Sequence, residues 1–179
     1  ACAHIDDLFD VVKGVEHWLA DDGVFVLEVG YLVDVFSNTW FDTIYHEHLD
    51  YHTVAPFEKL FASVGMEVIG VERIAPQGGS IRVMVQKQVG TIERDSSVDE
   101  LISIEHELGL DQAKTLQKFD AKISVVREKL QKLIRSLKAD GKIIAGFGAP
   151  TKATTLMAHF GLDESVLDFI VDDNPLKQG

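Results

Sequence analysis

The strongest constraint on the fold of this chain is a long apolar stripe in its second half. Large apolar side chains recur there at alternating spacings of three and four residues: Leu116, Phe119, Ile123, Val126, Leu130, Leu133 and Leu137. That spacing predicts one long amphipathic helix. Leaving each of these side chains in water would cost about 1.5–3 kcal/mol, so the stripe needs a cover. The cover is either the chain itself, with the helix as a strut between domains, or a second copy in a coiled-coil seam.

Composition excludes several classes of protein. The chain has 179 residues, of which 46% are hydrophobic and 26% charged, and its net charge is -12. This balance is typical of one globular domain or two small ones. The acidic excess argues against a nucleic-acid polymer or an anionic membrane as partner, and no apolar run approaches the roughly 20 residues of a membrane helix. The lone cysteine, Cys2, excludes an intrachain disulfide and favours a reducing cytoplasm.

The first half of the chain alternates between helical and strand patterns. Apolar spacing predicts a helix over 5–20 and a buried strand over 24–29. A helix over 57–64 and a hairpin of strands 66–74 and 80–87 follow. Residues 30–53 are predicted to be an irregular, functional loop, because the segment is aromatic and too long for an ordinary connection. The order favours an α/β fold with a parallel, helix-covered sheet.

The second half begins with a capping-box pattern at Ser97 and Glu100, which predicts a short helix to Leu108. After the long helix, a strand over 142–147, a helix over 153–160 and a strand over 167–171 predict a βαβ unit. The excess of acidic residues is larger before residue 90 than after it. We therefore predict two domains, 1–90 and 91–179.

The densest polar cluster is Tyr45-His46-Glu47-His48, followed closely by Tyr51 and His52. A histidine beside a carboxylate suits acid–base chemistry, and a tyrosine can stabilise an oxyanion. The histidines could instead hold a metal ion if His4 or His52 completed the set. A third interpretation is a loop of structural hydrogen bonds. The spacing alone leaves all three open.

Two glycine turns allow both a structural and a binding interpretation. Gly146-Phe-Gly148 lies between a predicted strand and helix, with Lys152 nearby, so it is either a phosphate cradle or a tight turn. Gly78-Gly79-Ser80 is either a plain hairpin turn or a backbone surface that a substrate approaches closely.

Taken together, several segments resemble the sugar C-methyltransferases, which methylate a carbon of nucleotide-linked deoxy-keto sugars with S-adenosylmethionine. The matching segments are His4, 41–51, 78–82, 148–152 and 173–179. The resemblance implies that residues 1–90 are the later half of a Rossmann-like methyltransferase domain. It also implies that residues 91–179 are most of a Rossmann-like C-terminal domain that closes over the sugar nucleotide, joined through the long helix.

The family also has an N-terminal cysteine-rich zinc module and a glycine-rich cofactor loop, and neither is found in these residues. The chain starts without methionine and ends in a turn just after an apolar run. We therefore expect it to be a fragment that is inactive alone, with most of the cofactor site elsewhere and only one wall near Ala3 and His4.

Carbon methylation needs a base beside a ketone, and the resemblance points to the residues that supply it. We predict that His48 is the base, that Glu47 orients it or shares its proton, and that Tyr45 bonds the enolate or is itself the base. His4 would hold the sugar or polarise its ketone. The predicted substrate contacts are Gly78, Gly79, Ser80, Arg82, Gly146, Gly148 and Lys152.

Two other functions are compatible with the same residues. One is a metal-dependent hydrolase that uses His46, His48 and a third histidine. The other is a noncatalytic module that binds a sugar nucleotide or a partner helix. In each case we expect a small-molecule or protein partner, no nucleic-acid polymer and no membrane, and a monomer or homodimer.

Overall fold

The computed structural model describes residues 2–177 and contains both helices and strands, as the predicted α/β class requires. The helices are α1 Leu8–Trp18, α2 Leu32–Asn38, α3 Val54–Ala62, α4 Ser97–Leu108, α5 Ala113–Ala139 and α6 Ala153–Phe160. The strands are β1 Val24–Gly30, β2 Met66–Ile74, β3 Ser80–Lys87, β4 Ala145–Phe147 and β5 Phe169–Val171. They form two compact units. Unit 1 contains residues 1–38 and 47–116, and unit 2 contains residues 39–46 and 117–179.

Unit 1 is built on a three-stranded sheet in the order β1-β3-β2. The hairpin of β2 and β3 is confirmed, and β3 also pairs antiparallel with β1. The predicted parallel pairing is therefore wrong for this sheet. The reason is that β3 returns from the hairpin and lies between β1 and β2. These two strands are separated in sequence by α2 and α3 and run in the same direction.

The inner face of this sheet forms the core of unit 1. Ile81, Val83 and Val85 alternate along β3 and are completely buried, as the period-two pattern predicted. Helices α1, α3 and α4 contribute buried side chains to the same cluster, among them Val12 and Phe57. Unit 1 therefore has its helices on one face of the sheet.

Two local predictions for unit 1 are wrong. The segment predicted to be irregular contains α2, a helix of only seven residues whose Val33 and Phe36 are buried. Such a short helix depends on tertiary packing more than on its own propensity. Ser97 does not form the predicted capping box, because its Oγ accepts a hydrogen bond from the Val71 N–H of β2 at 3.0 Å.

The turn of the β2–β3 hairpin is packed against α2. The Gly79 carbonyl accepts a hydrogen bond from the Tyr31 N–H at 3.2 Å. Gly79 has a φ of +150°, and a Cβ atom on it would lie 2.4 Å from Cγ of Asp34. A side chain of this chain therefore occupies the space that the absence of a Cβ creates.

Unit 2 contains the predicted βαβ arrangement. Strands β4 and β5 pair in parallel and α6 connects them, although each strand is shorter than predicted. Residues 39–46 pack on α6: the rings of Phe41 and Phe160 lie 5.0 Å apart, and Thr155 Oγ1 donates a hydrogen bond to the Ile44 carbonyl at 2.8 Å.

Helix α5 is continuous over 27 residues, as the apolar stripe predicted. Its stripe is only partly covered, because Phe119 and Ile123 are buried while Leu116 is 53% exposed and Leu133 is 56% exposed. Beside the stripe, Ile134 is buried. Among residues 2–177, no helix combines the length and apolar character needed to cross a lipid bilayer.

The division between the units differs from the predicted boundary at residue 90. It falls at Leu116, at the beginning of α5, and residues 39–46 join the second unit. Helix α4 stays with the first unit, since Val98 and Leu101 are part of its core. The predicted boundary rested on a change in charge along the sequence, and such a change does not show which core a helix packs into.

The neighbouring residues Leu133 and Ile134 provide a matched test of how α5 is covered. Ile134→Ala is expected to destabilise the chain by about 2–4 kcal/mol and to lower its melting temperature by roughly 5–10 °C. Leu133→Ala should shift it by less than about 2 °C, because its side chain is mostly in solvent. Thermal melts followed by circular dichroism measure both. An equally large loss for Leu133→Ala, with dissociation of a dimer in sedimentation, would identify a seam instead of a strut.

Substitution of Gly79 tests the close packing of the hairpin turn on Asp34. Gly79→Ala is expected to cost about 1–3 kcal/mol of unfolding free energy, because it adds a Cβ at a positive φ and against a side chain. Gly30→Ala is the control, since an added Cβ there meets nothing within 4 Å. Urea unfolding curves compare the two variants, and equal midpoints would refute the close contact.

Candidate functional site

The first candidate site in unit 1 is formed by His4 and the segment 47–53. The rings of His4 and His48 meet edge to face, with centroids 5.0 Å apart, and the ring of Tyr51 lies 6.3 Å from that of His48. The Leu49 N–H donates a hydrogen bond to the Ala3 carbonyl at 2.7 Å. The structure thus brings together two residues, His4 and His48, that the sequence places 44 positions apart.

The other two members of the predicted catalytic group are placed differently. Glu47 is exposed, and no hydrogen bond or ion pair joins it to another of residues 2–177, so it does not orient His48 here. Tyr45 belongs to unit 2, where its ring lies 6.0 Å from that of His46. The division between the units therefore passes through the Tyr-His-Glu-His motif.

His52 has a structural environment. Its ring is 8% exposed and stacks on Phe57 with 4.8 Å between the centroids. Burial lowers the pKa of His52, so the ring is neutral near pH 7, and its Nε2 has no hydrogen-bond partner among residues 2–177. Across the described part of the chain, no three histidine, cysteine, aspartate or glutamate side chains are grouped closely enough to hold a metal ion.

Sequence reasoning missed the buried polar centre of unit 1, which is Glu105 on α4. Its side chain accepts hydrogen bonds from the Tyr31 hydroxyl at 2.9 Å, from the Val54 N–H at 2.6 Å and from the Ala55 N–H at 3.1 Å. A signal was present in the sequence: Glu105 follows Val98 and Leu101 at helical spacing, which puts a charged residue on the apolar face of α4.

Tyr31 links this centre to the hairpin turn. Burial and the neighbouring charge of Glu105 raise the pKa of the Tyr31 phenol well above its usual range, so the hydroxyl stays protonated and donates. The guanidinium of Arg73 lies over the Tyr31 ring, 5.5 Å from its centroid, and forms an ion pair with Asp34. Asp34 in turn packs against Gly79.

The predicted substrate contacts in unit 1 have protein partners. Ser80 is buried and its hydroxyl donates to the Pro76 carbonyl at 3.1 Å. Arg82 lies between two glutamates of the neighbouring strands, with its nitrogens 3.0 Å from Glu72 and 3.3 Å from Glu28. Two carboxylates already balance its charge, so this position is poorly suited to a diphosphate.

Unit 2 contains a cavity of about 280 Å³ beside the glycine turn. Its lining includes Gly146, Gly148 and Lys152 together with apolar side chains such as Leu156 and Ile170. The Lys152 ammonium lies 3.3 Å from the Asp42 carboxylate, and its side chain is 52% exposed. The three predicted residues therefore share one cavity that has a cation and apolar walls.

The glycine turn is closed by an acidic residue of the chain itself. Gly148 has a φ of +84°, and the following Ala149 N–H donates to Asp172 at 2.7 Å. Hydrogen bonds from the backbone N–H groups of Ala149 and Asn174 lower the pKa of the Asp172 carboxyl. The amide best placed to bind an anion already binds one, which supports the tight-turn interpretation of Gly146-Phe-Gly148.

Comparison with known proteins agrees with the resemblance of the motifs. Residues 75–179 match the family described as the C-methyltransferase C-terminal domain. Over 177 residues the chain is 39% identical to the C-methyltransferase NovU of Streptomyces niveus; this alignment covers 99% of the chain and 42% of that protein. The chain thus spans about two fifths of the length of this relative. These matches establish that the chain belongs to the C-methyltransferase family.

Proposed function

We propose that this chain is part of an S-adenosylmethionine-dependent enzyme that methylates the carbon next to a ketone in a nucleotide-linked deoxysugar. The observation that carries the proposal is the pairing of His48 with His4, beside a backbone contact that fixes Leu49. It supports acid–base chemistry rather than the alternative metal site, for which the described residues offer no third ligand. Family membership supports the transfer of a methyl group to carbon.

The chemistry assigned to this chain is proton abstraction. The imidazole of His48 would take the proton from the carbon next to the ketone, which leaves an enolate with its charge on oxygen. His4, whose ring borders that of His48, would donate a hydrogen bond to the ketone oxygen. Tyr45, three residues before His48, is the proposed second donor to the enolate, and exposed Glu47 would receive the proton from His48.

The nucleotide part of the substrate is assigned to the cavity of unit 2. Lys152 is the cation of this cavity and would exchange the Asp42 carboxylate for a diphosphate oxygen. The exchange costs little because the Lys152 side chain is 52% exposed. Gly146 and Gly148 line the same cavity and place no side chain in it. In unit 1, Gly78, Gly79 and Ser80 would border the sugar through their backbone, whereas Arg82 is engaged by glutamates.

In doubly wound α/β folds, a nucleotide cofactor binds at a glycine-rich turn between a strand and a helix. In the described part of unit 1, β1 leads through the fully buried Tyr31 directly into α2, with no glycine-rich turn between strand and helix. Ala3 and His4 are the proposed contacts, and they make at most one wall. These residues alone do not fit the cofactor, so we propose that most of its site lies outside residues 1–179.

Substitution of the proposed base tests this function in the complete enzyme. His48→Ala is expected to lower kcat by about 10²–10⁴ and to slow solvent deuterium exchange at the substrate's α carbon equally, with little change in cofactor affinity. The readouts are steady-state kinetics and exchange followed by mass spectrometry.

His17→Ala is the matched control, since His17 lies on the exposed surface of α1. It should leave both rates unchanged. Undiminished exchange in His48→Ala would assign the base to Tyr45 or Glu47. A metal-dependent activity that also disappears in His46→Ala would favour the hydrolase alternative.

The cofactor assignment predicts that residues 1–179 alone bind S-adenosylmethionine only marginally. One wall of a site cannot offset the several kcal/mol, about 4–15 by common estimates, that binding costs in translational and rotational freedom. Calorimetric titration of the isolated chain measures this directly. Micromolar affinity would mean that these residues build the cofactor site themselves and that the assignment is wrong.

A further inference from the structure

We propose that Glu105 is a positioning residue for His48, an inference that rests on the proposed function. Glu105 lies on α4, more than fifty positions from the motif, and does not touch the region between His4 and His48. Its carboxylate instead fixes segment 47–53, which carries His48, in two ways. It binds the first residues of α3, which follow the segment, and it binds Tyr31, which pairs with His52.

Segment 47–53 is anchored by backbone hydrogen bonds near both of its ends. Near its beginning, the Leu49 N–H bonds to the Ala3 carbonyl at 2.7 Å. Near its end, the His52 carbonyl accepts a hydrogen bond from the Leu32 N–H at 3.0 Å, and His52 pairs with Tyr31 as an isolated parallel bridge. Besides the ring contacts of His48 with His4 and Tyr51, its position therefore depends on where the segment enters α3 and on where Tyr31 lies.

Glu105 fixes the entry into α3. The residue before this helix, Thr53, has a side chain suited to capping, yet it makes no capping hydrogen bond. Glu105 performs this role instead, accepting from the N–H groups of Val54 and Ala55 at 2.6 and 3.1 Å. Because Val54 is completely buried, water cannot replace the carboxylate at its amide.

Glu105 also fixes the other side of the segment through Tyr31. The Tyr31 hydroxyl donates to the same carboxylate oxygen that receives the Val54 N–H. Tyr31 is completely buried and pairs with His52 through its backbone. One side chain thus holds both the helix that follows segment 47–53 and the residue that pairs with its end.

Replacement of Glu105 in the complete enzyme tests the positioning role. In Glu105→Gln one carboxylate oxygen becomes an NH2 group, which cannot accept from the backbone N–H that faces it, so one of the two helix bonds and the negative charge are lost. We expect kcat and α-carbon deuterium exchange to fall about tenfold or more, since a small misplacement of a catalytic group is costly. The KM for the sugar nucleotide should change less than about threefold, because its diphosphate is assigned to Lys152.

A second readout is independent of activity. Amide hydrogen exchange of peptides that cover residues 47–56, followed by mass spectrometry, should be about tenfold faster in Glu105→Gln. Glu105→Asp, which keeps the charge on a shorter side chain, should recover part of the kcat. If Glu105→Gln does not fold, Tyr31→Phe replaces it: this variant keeps the carboxylate, removes one of its three donors and should show smaller changes in the same direction.

Val98→Ala is the matched control, since it removes a completely buried side chain from the same helix. It should lower the melting temperature but leave kcat and the exchange of residues 47–56 within about twofold of wild type. Unchanged kcat in folded Glu105→Gln, or an equal loss in Val98→Ala, would overturn the positioning role. Full activity in His48→Ala would instead refute the base role of His48, the part of the proposed function on which the positioning role rests.

Discussion

A buried carboxylate on α4 joins parts of unit 1 that are distant in sequence. Glu105 accepts three hydrogen bonds, from the end of β1 through Tyr31 and from the first turn of α3 through Val54 and Ala55. Hydrogen bonds to a charged group contribute about 1.5–3 kcal/mol each, and removing the acceptor would leave buried donors unpaired. The geometry at the carboxyl end of β1 depends on this residue, and the candidate site is built beside it.

A chain of contacts continues from Tyr31 to the hairpin turn. Arg73 covers the Tyr31 ring and pairs with Asp34, and Asp34 occupies the space beside Gly79. His52, near the end of segment 47–53, pairs with Tyr31 just after β1, so the segment that carries His48 joins this chain of contacts.

In unit 2, two carboxylates of the chain bind groups that an anionic ligand could otherwise bind. Asp172 binds the amide after the glycine turn, and Asp42 binds Lys152. Asp172 has a lowered pKa, so its contribution to stability is present above the carboxyl's unfolded pKa and is lost as the pH falls through the lower, folded value. The amide after the glycine turn is thus already satisfied, whereas Lys152 is half exposed. We therefore propose that a diphosphate in this cavity would be bound by the lysine more than by the glycines.

The sequence by itself determined the elements whose pattern is local: the single long helix α5, the β2–β3 hairpin, the βαβ unit of β4, α6 and β5, and the histidine motif with its neighbouring glycines. Periodicity and turn residues act over a few positions, so they can be read without the fold. Only the tertiary structure decided that β3 pairs antiparallel with β1 and that the short helix α2 forms. It also decided that residues 39–46 belong to unit 2 and that His4 contacts His48. The role of Glu105 belongs with these, because its charge is tolerated inside the core only where three donors from distant segments meet it.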